Sequence, residues 1–130
     1  MSIAGRYEMI SSDNYEEFLK ATGVGLATRK LEASAKPTVT ITQDGDSFTM
    51  RTATALKAAE VAFTLGREFV QETTDGRKAI TSVTLGGNKL TEVQDLEGRT
   101  VTIHRSFSDD GMDAVFTAGA VVSNCSYKRI

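Results

Sequence analysis

Along most of the chain, apolar and polar residues alternate in short runs separated by glycine corners. Thr38-Val39-Thr40-Ile41-Thr42, Ser47-Phe48-Thr49-Met50-Arg51, Val61-Ala62-Phe63 and Thr100-Val101-Thr102-Ile103 alternate or carry β-branched residues, the pattern of half-buried strands. Turn-prone clusters fall at Asp44-Gly45-Asp46, Leu65-Gly66, Asp75-Gly76, Gly86-Gly87, Glu97-Gly98, Asp109-Asp110-Gly111 and Ala118-Gly119. The glycines at 45, 66, 76, 87, 98, 111 and 119 lie 21, 10, 11, 11, 13 and 8 residues apart. The first interval holds two strands meeting near Thr54-Ala55, and each later interval holds one strand and its turn. This is the rhythm of consecutive antiparallel hairpins. A βαβ arrangement needs a helix between successive strands, and these intervals leave no room for one.

Only the N-terminal quarter departs from the rhythm. Tyr15, Phe18, Leu19 and Thr22 recur at helical spacing, with Asp13 or Asn14 as N-cap and Gly23 or Gly25 as the stop. A second, weaker helix is expected from about Leu26 to Ala35, ended by Lys36-Pro37. The pattern predicts one strand, two short helices, then roughly nine strands in a meander within a single domain spanning residues 1–130. A long meander leaves exposed edges unless it closes, so a barrel is expected.

One charge falls on an apolar face. Around Arg105, one side of the strand reads Val101, Ile103, Arg105, Phe107 and the other Thr100, Thr102, His104, Ser106. The first side should point inward, and a buried guanidinium requires an interior Asp or Glu, trapped water or an anionic ligand, unless it reaches a rim. In the last strand Val121, Ser123, Cys125 and Tyr127 share a face. A guanidinium fork and a phenol turned toward one interior suit a single carboxylate.

Composition removes several alternatives. Fifteen basic and seventeen acidic side chains give a net charge of −2, which argues against a nucleic-acid or polybasic membrane partner. One cysteine, Cys125, and one histidine, His104, exclude an internal disulfide and Cys-only or multi-histidine metal sites within one chain. His104 points away from Arg105, and no Gly-x-Ser-x-Gly elbow is present, so nucleophilic hydrolysis has no constellation; no catalytic residue and no cofactor are expected. The N-terminus lacks the charged lead and apolar run of a signal peptide, and no apolar run reaches membrane-spanning length, so a reducing, cytoplasmic address is expected. Asn124-Cys125-Ser126 matches a glycosylation acceptor only formally, because it sits within an expected strand.

Gly5-Arg6-Tyr7-Glu8-Met9, Asn14-Tyr15-Glu16-Glu17-Phe18-Leu19-Lys20 and Gly23-Val24-Gly25 resemble the opening signature of the cytosolic fatty-acid-binding proteins, within the intracellular lipid-binding proteins. The likeness continues through Lys36-Pro37-Thr38, Phe63-Thr64-Leu65-Gly66-Arg67-Glu68-Phe69, Asp75-Gly76-Arg77-Lys78 and Ile103-His104-Arg105 to the closing Tyr127-Lys128-Arg129-Ile130. It implies a ten-stranded antiparallel up-and-down β-barrel, or β-clam, closed by a helix-turn-helix lid and enclosing a lipid. It also implies a non-enzymatic, monomeric carrier whose fatty-acid carboxylate is held by Arg105 and Tyr127. Where the family commonly has a second arginine, two residues before the tyrosine, this chain has Cys125. That replacement shifts the head group toward Arg105 alone, opens space for a bulkier ligand, or favours a less acidic one. Tyr15, Leu19 and Ala27 match positions that close the entrance, Leu56 matches a portal position often held by phenylalanine, and Asp75 and Arg77 match the adjoining turn. Lys20, Arg29 and Lys30 match a basic lid cluster linked in some members to contact with anionic membranes or nuclear import, but the overall charge gives that no support and favours a solvated helix face. Two ligand readings remain: a long-chain fatty acid, and a bulkier amphiphile such as a retinoid, sterol derivative or bile salt.

Overall fold

A computed structural model describes residues 2–55, 57–73 and 75–130. Strand β1 (Gly5–Asp13) leads into helices α1 (Tyr15–Ala21) and α2 (Leu26–Ser34). Nine further strands follow among the described residues: β2 (Thr38–Asp44), β3 (Ser47–Ala53), β4 (Ala58–Thr64), β5 (Phe69–Glu72), β6 (Lys78–Gly86), β7 (Lys89–Leu96), β8 (Arg99–Phe107), β9 (Gly111–Ala118) and β10 (Val121–Arg129). They form one sheet in the order β4-β3-β2-β1-β10-β9-β8-β7-β6-β5. The first and last strands pair with each other, and the expected closure is complete there. Between β4 and β5 the hydrogen-bonded ladder stops, so the barrel is nearly closed. Stacked rings span this seam: Phe63 lies 5.9 Å from Phe69 and 5.4 Å from Phe48, with planes within about ten degrees.

The helices end for local reasons. At the start of α1, Asn14 adopts a left-handed conformation (φ 63°), and its side-chain amide donates to the Val122 carbonyl on β10 rather than capping the helix. This ties the lid to the last strand. At the other end, Gly23 (φ 89°) donates from its backbone to Lys20 and Val24 to Leu19, a Schellman turn whose accompanying apolar pair, Val24 and Leu19, is buried. Helix α1 packs through Phe18 and Tyr15 onto Phe116 of β9, with ring centroids 5.3 and 5.4 Å apart. Helix α2 has no buried residue. Lys30 pairs with Glu16 of α1 at 2.7 Å, and Lys57, beyond β3, pairs with Glu32 at 2.8 Å.

Tyr7, Ile41, Phe48, Val83, Leu90 and Phe107 are fully buried and belong to one hydrophobic cluster. The Tyr7 hydroxyl donates to the Ile3 carbonyl at 2.7 Å, and the Arg129 guanidinium covers its ring at 4.8 Å. None of these core residues lines the cavity described next. Gly111, expected in a turn, instead opens β9. A Cβ there would lie 2.0 Å from the Tyr127 carbonyl oxygen, so close strand approach is what requires glycine.

Candidate functional site

The barrel encloses a cavity of about 790 Å³. The alternation that drives strand formation also builds its wall. Val101, Ile103 and Arg105 on β8 face it, as do Met112 and Phe116 on β9 and Tyr127 on β10. The face assignment read from the sequence therefore holds on β8. His104 lies on the other face, with its Nδ1 3.1 Å from the Thr91 hydroxyl.

Arg105 meets an interior acid. Its Nη1 donates to Glu92 Oε1 at 2.8 Å, and the two side chains are only 13% and 7% exposed. Glu92 sits on β7 two residues from Leu90, the register partner of Arg105, so strand pairing alone brings the charges together. Gln94, next along that face, donates from Nε2 to the other Glu92 oxygen. The carboxylate thus has a partner on each oxygen. The guanidinium has five N–H donors, and the pair does not exhaust them.

Glu92 and Gln94 escaped the sequence reading. The available signal was the inward face Leu90, Glu92, Gln94, Leu96, in which polar residues interrupt apolar ones much as Arg105 does on β8.

Tyr127 is buried on the cavity wall. Burial pushes its hydroxyl far above the ordinary phenol range, and the nearby Arg105 charge only partly offsets this. Tyr15 behaves alike: burial dominates, Glu32 adds to the rise and Arg105 opposes it. Both hydroxyls are therefore protonated donors at neutral pH. Leu19 joins Tyr15 on the wall. Asp75 and Arg77 line it from the β5–β6 connection, where Arg77 bonds Asp75 at 2.9 Å and Glu97 at 3.0 Å. Burial raises the Asp75 carboxyl, but the Thr73 hydroxyl and the Arg77 guanidinium prevail and leave it below its usual value.

Two positions read from the sequence, Ala27 and Cys125, lie off the wall. Ala27 is exposed on α2 and is not part of the wall. Leu56 falls outside the described residues. Cys125 faces inward but is 1% exposed and absent from the wall, with its sulfur 3.9 Å from the Ser123 hydroxyl. Its short side chain stops beneath the surface that a longer residue would reach. Ala114 lies opposite both Arg105 and Cys125, which places the thiol two strands, about 10 Å, from the arginine. Burial also raises the thiol pKa, so Cys125 lacks both the access and the thiolate that electrophilic modification needs. In native protein, a thiol-specific disulfide reagent should leave Cys125 unmodified over hours and label it within minutes in denaturant. Rapid native labelling would contradict the burial.

Among the described residues, no helix is long and apolar enough to cross a membrane. Residues 4–119 match the model of the lipocalin / cytosolic fatty-acid binding protein family. A fatty acid-binding protein of Tyrophagus putrescentiae is 45% identical, with 99% of this chain and 98% of that protein covered. Fatty acid-binding protein 12 of Mus musculus is 40% identical over 98% of this chain and 97% of its own. Among solved structures, the Schistosoma mansoni fatty acid binding protein in complex with arachidonic acid superposes with a TM-score of 0.93. It is 34% identical, and the match covers 98% of this chain and 95% of that one.

Proposed function

This chain belongs to the lipocalin / cytosolic fatty-acid binding protein family, and from that premise we propose that it carries a long-chain fatty acid in its internal cavity. The observation that supports this most directly is a largely apolar hollow with the Arg105 guanidinium and the Tyr127 phenol turned into it. Each methylene moved from water into such a hollow contributes roughly 0.8 kcal/mol before ordering costs, so the acyl chain supplies most of the affinity. The carboxylate takes N–H donors of Arg105 and the hydroxyl proton of Tyr127. Tyr15 and Leu19 cover the chain from the lid, and Asp75 and Arg77 stand at the opening. The protein binds its cargo unchanged rather than transforming it. We place it in the cytoplasm as a monomer, with the exposed α2 touching membranes transiently during transfer.

Solvent extraction of the purified protein, followed by mass spectrometry, tests this reading. A long-chain fatty acid is expected at about one per protein. A retinoid, sterol derivative or bile salt in its place would overturn the fatty-acid assignment in favour of the bulkier amphiphile. Recovery of a chemically altered lipid after incubation with a pure one would overturn the carrier role.

A further inference from the structure

The cavity holds an anion of its own. Glu92 places a carboxylate oxygen 2.8 Å from the Arg105 guanidinium on the inner face of β8, with Gln94 bound to the second oxygen. Both charges are buried, so solvent screens their attraction weakly. On the neighbouring strands, the row through Arg105 offers no second cation, since Ala114 and Cys125 occupy it. Glu92 and Arg105 therefore sum to zero, and a fatty-acid carboxylate arriving beside them adds an uncompensated negative charge. An uncharged head group brings no such charge, and the free N–H donors of Arg105, the Tyr127 hydroxyl and Gln94 can satisfy its oxygen.

We propose that Glu92 is a specificity-determining residue: it occupies the anion site from within and makes the cavity accept an uncharged polar head group, such as an alcohol or amide, as readily as the matching carboxylate. This rests on the carrier reading above and concerns only which head group that carrier prefers. Chain length and cavity shape act on both ligands alike, so the ratio of their affinities isolates the charge effect.

The test is a calorimetric comparison of a long-chain fatty acid with the fatty alcohol of the same chain, using the full-length protein and Glu92→Gln. The glutamine keeps the size of Glu92 and an oxygen toward Arg105 while removing the charge. In the wild type, the two affinities should agree within about threefold; in the variant, the acid should gain about tenfold and the alcohol change by less than about twofold. A wild-type preference for the acid of about a hundredfold or more would overturn the proposal without any variant. So would equal changes for both ligands in Glu92→Gln, which would assign the residue to cavity shape, or a loss of acid affinity, which would assign it to positioning Arg105. Glu92→Ala, which also removes the charge, should move the ratio in the same direction. Failure of the wild type to bind either ligand is a different result: it would refute the carrier reading itself.

Discussion

Replacing Arg105 by glutamine weakens fatty-acid binding by about a hundredfold, the loss expected when hydrogen bonds to a charged group disappear from a buried site. Two effects act together. The head group loses its cationic partner, and Glu92 is left as an unpaired negative charge facing the incoming carboxylate. The same substitution destabilises the empty protein by about 3 kcal/mol, because breaking a buried pair from one side strands the other charge. A second substitution separates these consequences. Glu92→Gln added to Arg105→Gln leaves no buried charge, so most of the stability returns while fatty-acid affinity stays at least about tenfold below wild type. His104→Ala, one residue away on the outer face, leaves affinity within about twofold. Calorimetric titration with one fatty acid, alongside thermal melts, reads all four proteins. Equal losses from the Arg105 and His104 substitutions would show that the two faces of β8 are wrongly assigned.

Gly111→Ala will cost the most stability for the smallest change in composition. The added methyl carbon would sit 2.0 Å from the Tyr127 carbonyl oxygen and 3.0 Å from its carbon, both backbone atoms held in the β9–β10 ladder. No side chain can swing aside, so the strands must part at the point where β10 presents Tyr127 to the cavity. Overpacking that must be relieved by backbone movement costs about 3 kcal/mol, or about 10 °C in melting temperature for a chain of this length. Ligand affinity should fall with it, because the phenol moves with its strand. Gly86→Ala is the control: nothing lies within 4 Å of a Cβ there, so it should melt within about 2 °C of wild type. A Gly111→Ala protein that melts with the control would mean that β9 and β10 are less closely paired than described.

Much of this architecture was legible in the residues, and the reasons differ between its parts. The hairpin rhythm is a local signal: a glycine or Asp-Gly corner and an alternating run specify a turn and a strand without reference to the rest of the chain. The inward pointing of Arg105 follows from the same parity, since Val101, Ile103 and Phe107 fix the apolar side. Its partner was harder to find. Glu92 meets Arg105 only because β7 pairs with β8 in a register that puts Leu90 opposite the arginine, and register is a property of two strands together. Cys125 shows the complementary difficulty. Its face was readable, but whether a short side chain reaches the cavity surface depends on the depth of the neighbouring residues. Gly111 looks like a corner because glycine usually signals backbone dihedral freedom, whereas here the constraint comes from the next strand.

The seam between β4 and β5 gives the barrel an adjustable girth. Everywhere else, widening the wall means breaking rows of amide bonds; along this line it means sliding Phe63 across Phe69, and flat rings tolerate small offsets at little cost. On the carrier reading proposed above, guests of unequal breadth, such as a straight saturated tail and a kinked one, should be housed by the same frame without disturbing the folded ladder on either side. The missing ladder works as an expansion joint.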